Sequence, residues 1–467
     1  MGEASIPRLL LTFSFPAIIG MLAQGLYNVV DRIIVGHAVG NNGIAGTTVA
    51  FPYMLVLLAF GMLIGFGATA LVSIRLGQGR RDEAEQVLGN AALLLLWVSI
   101  LLTVAGRVFL DRLLKLFGAS ETVLPYARDY LQIIALGTVF QVFGFGLNAV
   151  IRGEGNPRIA MFTLLIGVFL NAMLASLFVF GLGWGMRGAA LATVLSQGVS
   201  AGWVLTYFLG GKSLLKLHAR NLRLRWPICA AILAIGSPMF ALQIAASVVN
   251  ALLNNQLRTY GGDLAISIMG IIYAGLMLIT MPVYGINQGA QPIIGYNYGA
   301  KKFDRVKKAL ITAILAATAI TLFGFALMMF FPAKIIGLFA RHDPVLVDMG
   351  IRAIRISTAM LPLVGFQVTS ASYFQAVGKP RHAMFLGLSR QVLLLIPAIL
   401  SLPRFFGLDG VWAAMPAADL CASVLTGIWL SAELRHLHRH HAEALASVVQ
   451  PAASTDSISS FRFPKPG

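Results

Sequence analysis

The chain has 467 residues, of which 58% are hydrophobic and only 11% charged, and its mean hydropathy is +0.80. Soluble domains carry roughly 25% charged residues, so a soluble enzyme or binding module is excluded and an α-helical membrane protein is expected. A formal charge of +17 points to nucleic acid only in a soluble protein; here the charges fall between apolar runs.

Crossing a bilayer takes about 20 apolar residues, and twelve such runs are predicted. Six lie at 9–36, 44–74, 88–110, 125–151, 159–181 and 187–210, and six at 228–258, 264–296, 307–330, 349–377, 383–403 and 408–432. The first is too long for the apolar core of a cleaved signal peptide and carries Asp31 near its end, so it is expected to remain as a span. Gln24, Asn28 and Asp31 follow one another on one face of that helix. Pro16, four turns earlier, removes a backbone hydrogen bond and favours a bend. A carboxylate at mid-membrane costs about 2.5–3.5 kcal/mol on insertion scales and usually marks a pathway. Apart from Asp129 and Asp409, which fall at the starts of their runs, Asp31 and Asp419 are the acids within predicted spans. Asp31 is therefore the candidate coupling group. Asp419 is expected to form a buried structural pair with Arg390.

The stretch 210–227, "GGKSLLKLHARNLRLRWP", is basic and poor in helix signals, and divides the twelve runs into two sets of six. The predicted organisation is residues 1–215, residues 216–434 and a short disordered tail, 435–467. The "RHLHRHH" run at 435–441 could bind metal but reads better as a solvated basic tail. The eighth run ends "MPVYGINQGAQPIIGYNYGA" (281–300), the least helix-like segment, and irregular backbone at membrane depth is tolerated where it lines a cavity. Gln288 and Gln291 there, with Asn250 in the seventh run, are expected to border a substrate path with Gln24 and Asn28. Met269, Tyr273, Met277 and Met281 form a stripe that suits either an adaptable pocket or ordinary packing. Cys229 and Cys421 lie in apolar runs without partner spacing, so neither a disulfide nor a metal framework is implied.

With the N-terminus inside, the loops and run ends on that side hold 22 Lys and Arg, those opposite hold 11, and Arg32 and Arg390 are assigned to neither side. This bias satisfies the positive-inside rule with both termini in the cytoplasm. The halves also repeat each other. "LGQGRRDEAEQV" (76–87) returns as "YGAKKFDRVKKA" (298–309), an offset of 222 that also places Pro16 on Pro238, Asn28 on Asn250, Gly67 on Gly289 and Gly77 on Gly299. One register later "GNPRIAMF" (155–162) returns as "GKPRHAMF" (378–385). Six spans per copy is even, so both copies enter the membrane in one direction, related by an axis along the membrane normal. Such duplication characterises secondary transporters with their site at the repeat interface.

Motifs of soluble chemistry do not hold up. "GFGLNA" (144–149) has no preceding strand, and the first glycine of a phosphate loop ending in "GGKS" (210–213) would fall on Thr206. Without a nucleotide-binding domain, transport is passive or ion-coupled. No zinc-protease helix motif, paired intramembrane carboxylates or Ser–His constellation supports a membrane-embedded enzyme.

The region 1–434 resembles multidrug and toxic compound extrusion (MATE) transporters, the MepA-like branch in particular. The likeness rests on "LYNVVDRIIVGHAVG" (26–40), "LGQGRRDEAE" (76–85), "GEGNPRIAM" (153–161), "GLGWGMRGAALATVLSQ" (181–197) and "YGGDLAISIMGII" with "MPVYGINQGAQPIIGYNYGAKK" (260–302). It implies twelve helices in two six-helix lobes and alternating access that exports drugs and lipophilic cations against H+ or Na+, from the inner membrane. It also implies a cation site of Asp31, Asn171 and Thr193, and a bending role for Pro16. Where the family commonly has a second acid, this chain reads "NAMLAS" (171–176) and places Ala175. One carboxylate with an Asn and a Thr is a sparse Na+ cage but suffices for a proton, so H+ is favoured over Na+, with no cofactor and a functional monomer expected. A lipid-linked oligosaccharide flippase is the alternative, disfavoured because only Arg32 and Arg390 are intramembrane cations.

Overall fold

Backbone groups within lipid are satisfied only in helices or closed barrels, and the described residues of the computed structural model form helices without a strand. Described are 2–39, 41–117, 121–211, 213–337 and 344–449, excluding the side chains at 26–33, 36–38, 41–42, 44–45, 219, 263, 344–346 and 436–449. The first half contains α1 (Ile6–Val39), α2 (Asn41–Gly77), α3 (Arg81–Val108), α4 (Leu124–Glu154), α5 (Pro157–Gly181) and α6 (Gly185–Leu209). The second contains α7 (Trp226–Gly262), α8 (Leu264–Gly299), α9 (Phe303–Phe330), α10 (Val347–Ala376), α11 (380–406) and α12 (408–449). Glycines reverse the chain at the α7–α8 and α11–α12 junctions: Gly262 has φ 65° and Gly407 φ 59°, where a Cβ would be strained. With the bent α10 counted as one span and the chain divided at Gly407, the expected twelve spans are present among the described residues.

Three elements differ from expectation. α10 is broken, its segments Val347–Ser357 and Leu361–Ala376 meeting at 45°; Pro362 disfavours helical backbone before it and opens the second segment. The end of α8 is regular helix despite Pro282 and Pro292. And α12 runs to Val449, so residues 435–449 of the expected disordered tail are helical. The histidines of the "RHLHRHH" run have side chains outside the described residues.

The duplicated sequences become duplicated turns. The α2–α3 turn holds Gly79 at φ 76° and the α8–α9 turn holds its repeat mate Lys301 at φ 57°. Likewise Gly155 (φ 114°) and Gly378 (φ 74°) end α4 and α10 before the "NPR" and "KPR" segments. These turns, with 213–225 and the start of α1, lie at what we term the basic end of the bundle.

Core packing differs between the halves. The first half has one continuous apolar cluster, from Tyr53 and Leu57 to Ala84 and Leu215, which also takes in Ile232 and Ile235 of α7. The second half has two, one around Ile293, Leu310 and Phe374 and one around Leu257, Ile272 and Trp412. The intervening turns carry polar side chains: Thr321 on α9, Gln367 on α10, Ser389 and Arg390 on α11, Asp419 and Thr426 on α12. The starting residues of α1, Ile6, Leu9, Leu10 and Phe13, pack into the second half's cluster, so α1 straddles the divide.

Candidate functional site

α5 and α6 are joined by a tight reversal in which α5 ends in a π-turn, Leu177–Gly181, followed by Gly183 (φ 69°) and Gly185 (φ 50°). The reversal sets α6 antiparallel against α5 and brings two expected site residues together. Asn171 Nδ2 donates to Thr193 Oγ1 at 3.1 Å, and Thr193 Oγ1 donates to the Ala189 carbonyl at 3.1 Å. Both side chains are fully buried. Ala175, one turn beyond Asn171, is also fully buried, with a methyl facing the first half's interior. α1 packs along α5 through Gly20, where a Cβ would stand 2.8 Å from Leu164 Cδ1. The two helices run parallel, so the same rise carries Gly20 to Asp31 and Leu164 to Ala175, placing these two positions at one depth. The side chains of Asn28 and Asp31 lie outside the described residues. Pro16 sits inside continuous α1, one turn before Gly20, and Gln24 is exposed.

The halves meet through missing side chains. A Cβ on Gly77 of α2 would lie 1.9 Å from the Tyr296 carbonyl oxygen, and one on Gly299 of α8 would lie 2.1 Å from the Ile74 carbonyl oxygen. These contacts are mates, because Gly77 repeats as Gly299 and Ile74 as Tyr296. A second pair follows the same symmetry: Gly289 lies against the Ser14 backbone, and Gly67 against Ile232 and Gly236, the repeat mate of Ser14. Gly236 itself would place a Cβ 1.7 Å from the Leu63 carbonyl oxygen. Two expected path residues lie in this seam. Gln291, buried, donates to the Phe66 carbonyl at 3.3 Å, and Gln288 contacts Met21 Sδ at 3.2 Å. Further from the basic end the halves touch through Phe60 and Phe240, whose ring centroids are 5.0 Å apart, and through Gly25 and Met281. Beyond this level Ile244, Val248 and Asn250 of α7 are exposed. The methionine stripe divides: Met269 is buried in the second half's core, whereas Met277 is half exposed.

Arg390 Nε donates to Asp419 Oδ1 at 2.6 Å, with the carboxylate buried. Arg390 lies in a π-turn of α11, Ser389–Leu395, a local widening frequent at functional sites. Two networks at the basic end escape a reading of the sequence. Glu154, closing α4, accepts from Tyr207 of α6, from Ser213 Oγ at 2.5 Å and from the Leu215 amide at 3.2 Å, while Asn156 donates to the Tyr207 hydroxyl at 2.6 Å. In the other half Glu433 of α12 accepts from Lys379 at 2.6 Å and from Tyr373 at 3.2 Å. Asn156 and Lys379 are mates in the repeated "GNPR" and "GKPR". That was the available signal, although the acid comes from the fourth helix in one half and the sixth in the other. Among the described residues no group of His, Cys, Asp and Glu could hold a metal ion.

Known proteins share this arrangement. The MatE family profile matches residues 16–177 and again 238–400, one match per half. Multidrug export protein MepA of Staphylococcus haemolyticus (strain JCSC1435) is 28% identical over 421 residues, covering 90% of this chain and 92% of that one. The same-named protein of Staphylococcus aureus (strain NCTC 8325 / PS 47) is 26% identical over 426 residues, with the same coverage. The MATE multidrug transporter DinF-BH, solved as a ligand complex, superimposes with a TM-score of 0.86 at 40% identity over 92% of this chain and 96% of that one. A MATE protein in its bent conformation gives 0.89 at 25% identity, over 94% and 98%. With a profile match on each half and a twelve-helix bundle that superimposes on solved MATE proteins, this chain belongs to the MatE family of membrane transporters.

Proposed function

We propose that the chain exports amphipathic, often cationic, drugs across the inner membrane in exchange for protons, by rocking its two halves about the glycine seam. The observation that carries this reading is the seam itself: duplicated glycines close the halves together at the basic end, while described side chains of the facing helices are exposed beyond Phe60 and Phe240. The excess of Lys and Arg at the basic end favours the cytoplasmic side for it. The conformation then has a path that opens outward, bordered by Gln24, Asn28 and Asn250. Gln288 and Gln291 close its floor in this state and reach the substrate in the opposite one. The lobes are residues 1–215 and 216–434, and each chain works as a monomer.

Asp31 carries the exchanged charge. Protonation there removes a charge and lowers the cost of closing apolar surface around it, biasing α1, which Pro16 already inclines to bend. Asn171 and Thr193 hold each other beside α1 and supply neutral oxygens and an amide to that depth. The buried methyl of Ala175 withholds the second carboxylate that a sodium cage would use, which favours H+ over Na+. The named relatives are multidrug export proteins and a multidrug transporter, which favours drugs as substrates here, and the carboxylate of Asp31 favours lipophilic cations among them. Efflux of ethidium from cells, with the proton gradient intact or collapsed, tests the reading. Wild type should lose most of its efflux on collapse, and Asp31→Asn should show none of that dependence. Wild-type efflux indifferent to both proton and sodium gradients would overturn it.

A further inference from the structure

At the basic end a cavity of about 530 Å3 opens between α2, α3 and the first turns of α7. Leu71, Val87 and Ile228 give it an apolar floor, and Arg75 and Arg225 stand among its walls. Arg225 is fixed in place: its amide donates to Asn90 Oδ1 at 2.7 Å and its Nη1 to Gln86 Oε1 at 2.8 Å, both on α3. Arg75 donates to Gln78 at 3.1 Å and pairs with Glu83 at 3.2 Å, and Glu83 is the acid in the wall. α7 begins at Trp226, which is 76% exposed and directly follows Arg225. An exposed tryptophan on the first turn of a span sits at the headgroup level of a bilayer. The α7 N-terminus adds a positive dipole end to the same place.

A cavity that is cationic at its rim, apolar below and level with the headgroups matches one ligand, a phospholipid with an anionic headgroup and its acyl chains down the floor. We propose that Arg75 and Arg225 bind such a lipid, with the phosphate against the guanidinium of Arg225 and one chain along Val87 and Ile228. Because α2 and α3 belong to one half and α7 to the other, the bound lipid is shared by both. This site is separate from the coupling residues and does not depend on the nature of the exchanged ion.

The purified full-length protein in detergent is titrated with phosphatidylglycerol, phosphatidylcholine or inorganic phosphate. The readouts are native mass spectrometry of lipid adducts and melting temperature. Phosphatidylglycerol should give a retained adduct and raise the melting temperature by several degrees, and phosphatidylcholine should do neither. Arg75→Gln/Arg225→Gln should weaken phosphatidylglycerol binding at least 10-fold, whereas Arg112→Gln/Arg355→Gln, exposed at the opposite end, should not. Ile228→Trp, which fills the floor and keeps both charges, should also weaken it. Equal protection by phosphatidylcholine, or by inorganic phosphate alone, would overturn the proposal. So would undiminished phosphatidylglycerol binding by the double variant.

Discussion

Asn171 and Thr193 present a buried amide and hydroxyl beside a methyl at 175, and the proposal of H+ over Na+ rests on that trio. Ala175→Asp would place a second carboxylate one turn from Asn171. We expect sodium-dependent efflux in proteoliposomes from this variant and not from wild type, read as initial rates under an imposed sodium gradient. Asn171→Leu leaves Thr193 its bond to the Ala189 carbonyl, so it should cost only about 1 kcal/mol of stability. Ion-driven efflux should nevertheless fall 10-fold or more, a split that initial rates and thermal melting check together. At this scale the sequence exposes residues that are expensive alone, as Asp31 and Asp419 are in lipid. The Asn171–Thr193 bond needed the family pattern to be anticipated, because neither residue type is unusual in a helix. The Glu154 and Glu433 networks stayed hidden, since their partners come from elements far along the chain.

Among elements, the seam explains the glycines that the repeat singled out. Gly299→Leu would drive a side chain into the Ile74 carbonyl and hold α2 and α8 apart. Spin labels at the basic ends of α2 and α8 should then report a distance several Å longer than in wild type, with efflux lost. Gly427→Leu, with nothing within 4 Å of its Cβ position, should change neither. The Lys379–Glu433 pair ties the α10–α11 turn to α12. Because Glu433 is buried, Lys379→Met should destabilise by about 3 kcal/mol by stranding the carboxylate, and Lys379→Met/Glu433→Leu should recover most of the lost melting temperature. Hydropathy located all twelve spans because lipid burial is a signal every residue carries. It misjudged α8, where the glycines read as irregular backbone are faces for α1 and α2. It also ended α12 early, since a polar helical extension has no hydropathic mark.

For the whole molecule, duplication with an even number of spans dictates two similarly oriented halves, and the mated contacts Gly77–Tyr296 and Gly299–Ile74 follow that two-fold relation. The halves are not equivalent. The first has a continuous core with the Asn171–Thr193 pair within it, and the second has its core divided by a polar layer holding Arg390 and Asp419. Sequence repeats reveal the symmetry. The divided core emerges only when polar residues on four helices are seen between the two apolar clusters. Exchange of a proton for a drug at Asp31 is tested most directly by drug transport in proteoliposomes under an imposed pH difference without sodium. Wild type should transport ethidium in proportion to the pH difference, and Asp31→Asn, folded by its melting curve, should not respond to it. An Asp31→Asn protein that keeps the wild-type response would contradict the account.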